Sequence, residues 1–188
     1  MNKKTLAVMG TVLIIASLAG SLYWMAHHPY REAELNLDVS FHSFHVTAWV
    51  KRAGEDGWQF VSHHAGVLTT IGANWIEDQL GDSPSTDPAK WVSVSTSSSS
   101  PSAAWTQIPT EIASGGLTRA AGTYASTGDG AWTITVTFTS TTDHTDVQLT
   151  GLQWASSGDN NLLASDVFTP VTLGNGDQLT VEWSDSVS

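Results

Sequence analysis

Residues 131 to 140 read Ala-Trp-Thr-Ile-Thr-Val-Thr-Phe-Thr-Ser, an alternation that fits an extended chain and no helix. Trp132, Ile134, Val136 and Phe138 fall on one side of the extended chain, and Thr133, Thr135, Thr137 and Thr139 on the other. A period of two belongs to an antiparallel strand with one face on a core and one in water. Such a strand needs a second layer to cover its apolar side.

The same pattern recurs along the chain. Gly128-Asp129-Gly130 supplies a turn before this strand and predicts a hairpin with Leu117 to Tyr124. Asp146 to Ala155 predicts a further strand whose apolar positions pass from Val147 and Leu149 to Leu152 and Trp154, a change that a bulge at Gly151 explains. Gly158-Asp159-Asn160-Asn161 and Gly174-Asn175-Gly176 are turns that set off strands over Leu162 to Val171 and Gln178 to Trp183. The last directs Leu179, Val181 and Trp183 inward.

Upstream, Asp38 to Lys51 reads as a long strand with a phase change near His42-Ser43. The turn "AGEDG" then leads to a partner over Trp58 to His64. Thr70 to Leu80 is the one predicted helix, with Leu68, Ile71, Trp75 and Leu80 on or near one stripe and Gly81 as its stop. Trp91 to Ser95 reads as a short strand, and "STSSSSPS" over 95–102 as an exposed loop whose hydroxyls could carry O-linked sugar. These elements predict an all-β chain: a single β-sandwich, Greek-key or jelly-roll like, of about eight strands with one short helix at about 70–80.

A different segment precedes them. Lys3 and Lys4 flank an uncharged apolar run from Thr5 to Ala26, which as a helix rises roughly 33 Å, enough to cross a bilayer. Basic residues on the cytoplasmic side send the remainder outward, and Tyr23 and Trp24 fall at an interfacial position. The competing reading is a cleaved signal peptide with a small-residue site at Ser17-Leu18-Ala19. Ser21 stands where a lipobox needs its cysteine, which excludes a bacterial lipoprotein. The organisation expected is a signal-anchor or signal peptide at 1–26, a linker at 27–37 and an extracellular β-sandwich at 38–188. Membrane contact is expected through residues 5–26 where these are uncleaved.

Charge narrows the partners. The net charge is −11, and once Lys3 and Lys4 are set aside, Arg31, Lys51, Arg52, Lys90 and Arg119 face all 18 carboxylates. Phosphate backbones are repelled, so nucleic acid is not an expected partner. Charged residues are 13% of the chain against about 25% in an average protein, as in exported hydroxyl-rich β-proteins. Without cysteine there is no disulfide, thiolate metal site or Cys nucleophile.

Few residues invite chemistry. His42 and His45, with His63 and His64, offer imidazoles on two strands that pair, and zinc takes such ligands. Residues three apart on a regular strand face opposite sides, so surface histidines are the plainer reading. Asp143 and Asp146 flank one acidic turn and Asp159 sits in another; calcium favours such oxygens, and ordinary Asx turns explain them equally. No cofactor is expected beyond calcium. No Gly-x-Ser-x-Gly elbow is present, and the chain does not read as an enzyme. Of nine tryptophans, Trp75, Trp132, Trp154 and Trp183 fall on core registers; Trp49, Trp58, Trp91 and Trp105 are candidates for a glycan-binding surface.

The runs "AGVLTTIGANWIEDQLGD", "PSAAWTQIPTEIASGGLTRAAGTY", "GAWTITVTFTSTTD", "VQLTGLQWASS" and "VTLGNGDQLTVEW" cover roughly Ala65 to Trp183. In texture and order they resemble β-sandwich structural proteins of tailed-phage and archaeal surface or virus-like gene sets. The resemblance implies a structural component of a virion or surface appendage and no catalytic residues. The export segment departs from the phage-tail pattern and favours a cell surface. The expectation is an exported, non-enzymatic structural protein that self-associates as a filament subunit. In that assembly the region of Phe41, Phe44 and Val46 pairs as a donor strand with an edge bearing Leu179, Val181 and Trp183. Pairing within one chain, a virion spike, tail or capsid component, and a cell-surface carbohydrate-binding module are the alternatives.

Overall fold

The computed structural model describes residues 41–81 and 87–187, all within one compact unit, Val39–Ser188. The apolar segment 5–26, the linker 27–37 and the side chains of Phe41 and His42 lie outside the described residues.

The chain forms β1 (Phe41–Lys51), β2 (Gln59–Ala65), β3 (Val67–Leu68), α1 (Thr70–Leu80) and β4 (Trp91–Ser95). It continues through β5 (Ala120–Ala121), β6 (Thr123–Gly128), β7 (Ala131–Thr139), β8 (His144–Gln153), β9 (Leu162–Leu173) and β10 (Gln178–Val187). Two five-stranded sheets result, ordered β2-β1-β10-β7-β6 and β3-β9-β8-β4-β5. All pairings between these strands are antiparallel. The expected all-β class with one short helix is therefore the observed one.

The main core fills the space between the sheets. Alternation supplies Phe44, Val46, Ala48 and Val50 from β1, Ile134, Val136 and Phe138 from β7, and Leu179, Val181 and Trp183 from β10. The second sheet answers with Val92 and Val94, Val147 and Leu152, and Leu163, Phe168 and Val171. Burying each large aliphatic or aromatic side chain is worth about 1.5–3 kcal/mol, and this layer is the main source of cohesion in a chain without disulfides.

A smaller apolar cluster lies on the opposite side of the second sheet. Ile108, Leu149 and Leu162 are buried there, with Ile71 of α1, Trp105 and Val167 packed against them. Residues Leu149 to Gln153 are consequently buried on both faces of β8. This corrects the expected bulge at Gly151: that residue stays in register with Ser165, and the irregularities lie between His144 and Val147, between Val147 and Leu149, and between Leu152 and Gln153. Gly151 is glycine for another reason. A Cβ there meets Ile108 Cγ2 at 2.7 Å and Leu162 Cδ1 at 2.8 Å.

Helix α1 is pinned at both ends. Thr69 caps it, its Oγ1 accepting from Gly72 N at 2.9 Å and donating to the Leu162 carbonyl, while Gly81 N closes on Glu77 O at 2.7 Å. Trp75 stacks on Trp154 with ring centroids 5.5 Å apart and 12° between planes. Leu80, expected on the apolar stripe, is instead 74% exposed, because the packed face ends with Ile76.

The expected partner of β7 is also revised. Leu117 is buried in the core, Ala120–Ala121 pairs with β4, and only the segment from Thr123 pairs with β7. The phase change near His42-Ser43 is present as a register shift between His42 and His45.

Candidate binding face

The outer side of the first sheet is the broad face without a packed apolar layer among the described residues. Threonine dominates it, because the alternation that sends Ile134, Val136 and Phe138 inward turns Thr133, Thr135, Thr137 and Thr139 outward. Thr135 donates to Glu182 Oε2 at 3.1 Å, and the Thr137 and Thr180 hydroxyls lie 2.7 Å apart.

At one end of this face the character changes. Trp49 on β1 stands directly between Phe60 on β2 and Thr180 on β10, and Thr180 pairs in turn with Thr137 on β7. The pairing of Trp49 with Phe60 depends on the register shift that follows Ala48, where β1 meets β2. Trp58 lies just before β2, 45% exposed, and Phe60 is 64% exposed. Trp49, Trp58, Thr137 and Thr180 line a cleft of about 380 Å³.

An acidic hub holds the adjacent loops. Asp177 accepts hydrogen bonds from Gly174 N at 3.0 Å, Ala53 N at 2.8 Å and Arg52 Nη1 at 2.8 Å. The amide of Gly174 in the first place, then Ala53 and the Arg52 guanidinium, hold its carboxyl below the usual carboxylate range against the opposing effect of burial. The turn leading from Lys51 to Trp58 is thereby tied to the β9–β10 turn.

The other end of the face carries histidines. His45 stacks on His63 with centroids 5.1 Å apart and 9° between planes, and His63 Nδ1 lies 2.8 Å from Thr47 Oγ1. A smaller cavity of about 210 Å³ is lined there by His45, Trp132, Ser184 and Asp185 among others. Burial pushes the Asp185 carboxyl up to about 6, opposed by the Ser186 amide and the His45 charge. Asp166 on β9 is pushed up to about 6 in the same way, opposed by the Val167 amide and His64. In both carboxyls Oδ2 is buried without a hydrogen-bond partner.

The structure thus brings Trp49 and Trp58 together and leaves Trp91 and Trp105 elsewhere. Trp91 begins β4 in the second sheet, and Trp105 covers the Ile108 cluster. Thr137 and Thr180 complete the cleft, with Phe60 exposed beside Trp49 on the neighbouring strand; Thr137 was legible as an outward residue, while nothing local in the sequence joins it to Trp49. The metal candidates do not converge. Asp143 and Asp146 flank the start of β8, whereas Asp159 lies beyond its far end, roughly 30 Å away along the strand. Among the described residues no group of three His, Asp or Glu is placed to hold an ion.

The expected assembly residues lie in the interior. Phe44, Val46, Leu179, Val181 and Trp183 are all buried in the main core, and β10 is flanked by β1 and β7 of its own chain. In this structure the edge beside β10 is taken by β1 of the same chain, the intramolecular pairing set out above.

Fold and face together define an all-β protein of two antiparallel sheets with an aromatic cleft on one of them. Comparison with protein-family models, with curated proteins and with solved structures finds no match.

Proposed function

We propose that the chain is an exported, non-enzymatic β-sandwich displayed at a cell or virion surface through its N-terminal segment, a structural component rather than a catalyst. The lysines and apolar run of residues 3–26 support export. The nesting of β8–β9 within β7–β10 supports jelly-roll-like connectivity.

One observation carries the reading. Phe41 pairs with Val187, so the first and last strands leave the domain at one end, while the aromatic cleft sits about Trp49, roughly 25 Å further along the same strand. A domain tethered before β1 holds that cleft away from its point of attachment. Expression of the full chain in bacteria tests this. It should sediment with membranes or appear in the medium, and protease added to intact spheroplasts should cleave it while a cytoplasmic marker survives. A domain protected until lysis refutes export.

A filament joined by strand exchange has one observation in its favour. β1 directly follows the linker and supplies four buried side chains, so a neighbour's β1 meets the same partners if it replaces the chain's own. Because β2 pairs with β1 at the sheet edge, the hairpin must exchange as a unit. A strictly monomeric full chain on size-exclusion chromatography refutes that form.

A further inference from the structure

We infer that the cleft between Trp49 and Trp58 binds a neutral saccharide, a pyranose ring lying against the indoles with its hydroxyls turned to Thr137 and Thr180. The site stands on the described domain alone and does not depend on export.

Exposed aromatics set the site apart. Elsewhere the face is hydroxyl-rich, yet Phe60 on the strand beside Trp49 and Trp58 in the loop before it are left 64% and 45% exposed. Clustered exposed apolar side chains mark contact surfaces. The cleft volume of about 380 Å³ falls in the range of small-molecule sites, roughly 300–1,000 Å³.

The polar side of the cleft selects the ligand class. Thr137 and Thr180 share one hydrogen bond at 2.7 Å, which leaves one hydroxyl hydrogen and several lone pairs unspent. A sugar hydroxyl both donates and accepts, and so matches that mixed offer. The apolar face of a pyranose, formed by its ring C–H groups, matches an indole. No lining residue is charged, and Lys51 and Glu182 stand on the same face two residues from Trp49 and Thr180, one of each sign.

Other occupants fit less well. Phosphorylated or acidic glycans meet a chain of net charge −11. A peptide adding as a strand needs an open edge, whereas β1, β10 and β7 beneath the cleft are paired on both sides. A second copy brings the same negative charge to the contact.

The test uses the full chain, purified in a detergent without a sugar headgroup. Tryptophan fluorescence is followed against cellotetraose, mannotetraose and chitotetraose, with tetragalacturonate as the acidic comparator. At least one neutral tetrasaccharide should bind saturably, with affinity reduced ten-fold or more by Trp58→Ala and three-fold or more by Thr137→Val with Thr180→Val. Trp58 is in a loop and its replacement should leave the melting temperature unchanged. The double valine variant retains the shape of both side chains, so its folding provides a second check. The inference is overturned by absence of binding to all three neutral sugars, by preference for tetragalacturonate, by binding indifferent to Trp58, or by a Trp58-dependent dimer that sugar does not dissociate.

Discussion

The two buried carboxyls, Asp185 and Asp166, should make the domain more stable in mild acid than at neutral pH. Asp185 is 6% exposed, and burial raises its pKa from 3.8 to about 6. A folded-state pKa above the unfolded one means that the native state holds the proton more tightly. Its favourable contribution is complete below pH 3.8 and is lost as pH rises through 6. Relative to the acid limit, the raised pKa lowers stability by about 2 kcal/mol at pH 5, where the unfolded carboxyl is ionised and the folded one is still protonated, and by about 3 kcal/mol at pH 7.5. Acidification between those points therefore returns about 1 kcal/mol, or roughly 2–4 °C in melting temperature for a domain of this size. Asp177 works in the opposite sense: its lowered pKa contributes stability that is present above pH 3.8 and is lost as the pH falls through its folded-state value below that. Asp185→Asn keeps an acceptor for the Ser186 amide and cannot ionise. Urea denaturation of wild type and variant at pH 5 and 7.5 should show the variant lacking about 1 kcal/mol of the wild-type pH dependence. Comparing the difference between pH values removes any fixed cost of the buried amide. Equal pH dependence in the two proteins would show that Asp185 is not shifted and refute the argument.

Arg119→Ala should be severe, because the guanidinium, its side chain 6% exposed, holds both Glu111 oxygens at 2.6 and 2.9 Å together with Ala155 O and Asn161 Oδ1. Removing it leaves a partly buried carboxylate unpaired, at a cost of about 3 kcal/mol, measurable as a lower midpoint in urea. A chain beginning after Val50 loses Phe44, Val46, Ala48 and Val50 from the core and should show no cooperative unfolding by circular dichroism. Adding the peptide 39–51 in trans should restore folding where β1 is exchangeable.

Strands buried on one face were legible in the sequence. The alternations at 131–139 and 178–183 each meet one core and one solvent, and the side chains turn as the period dictates. β8 defeated the same reasoning, because its second face is covered by Ile108 and Trp105 from a distant loop, so an unbroken buried run replaced the alternation. β3 and β5 span two residues each, too few to carry any period. The cleft was half legible. Trp49 and Trp58 stood out for fitting no core register, but their union with Thr137 and Thr180 is a matter of strand order. Strand order arises from long-range pairing, of which local sequence holds no trace.

The position of Trp49 on β1 has a mechanical consequence. Under the proposed reading, a ligand held through Trp49 and a tether joined before Phe41 would load β1 from opposite ends, while Thr180 and Thr137 pass part of the load to β10 and β7. Interstrand hydrogen bonds in an antiparallel sheet lie across the strand direction. Load along β1 is therefore shared among its bonds to β10 on one side and β2 on the other, all of which must yield together. Traction applied between the two chain ends meets a different geometry, since Phe41 and Val187 are neighbours and part like the first teeth of a zip. By this geometry the same domain should resist force transmitted through its cleft more strongly than force applied between Phe41 and Val187.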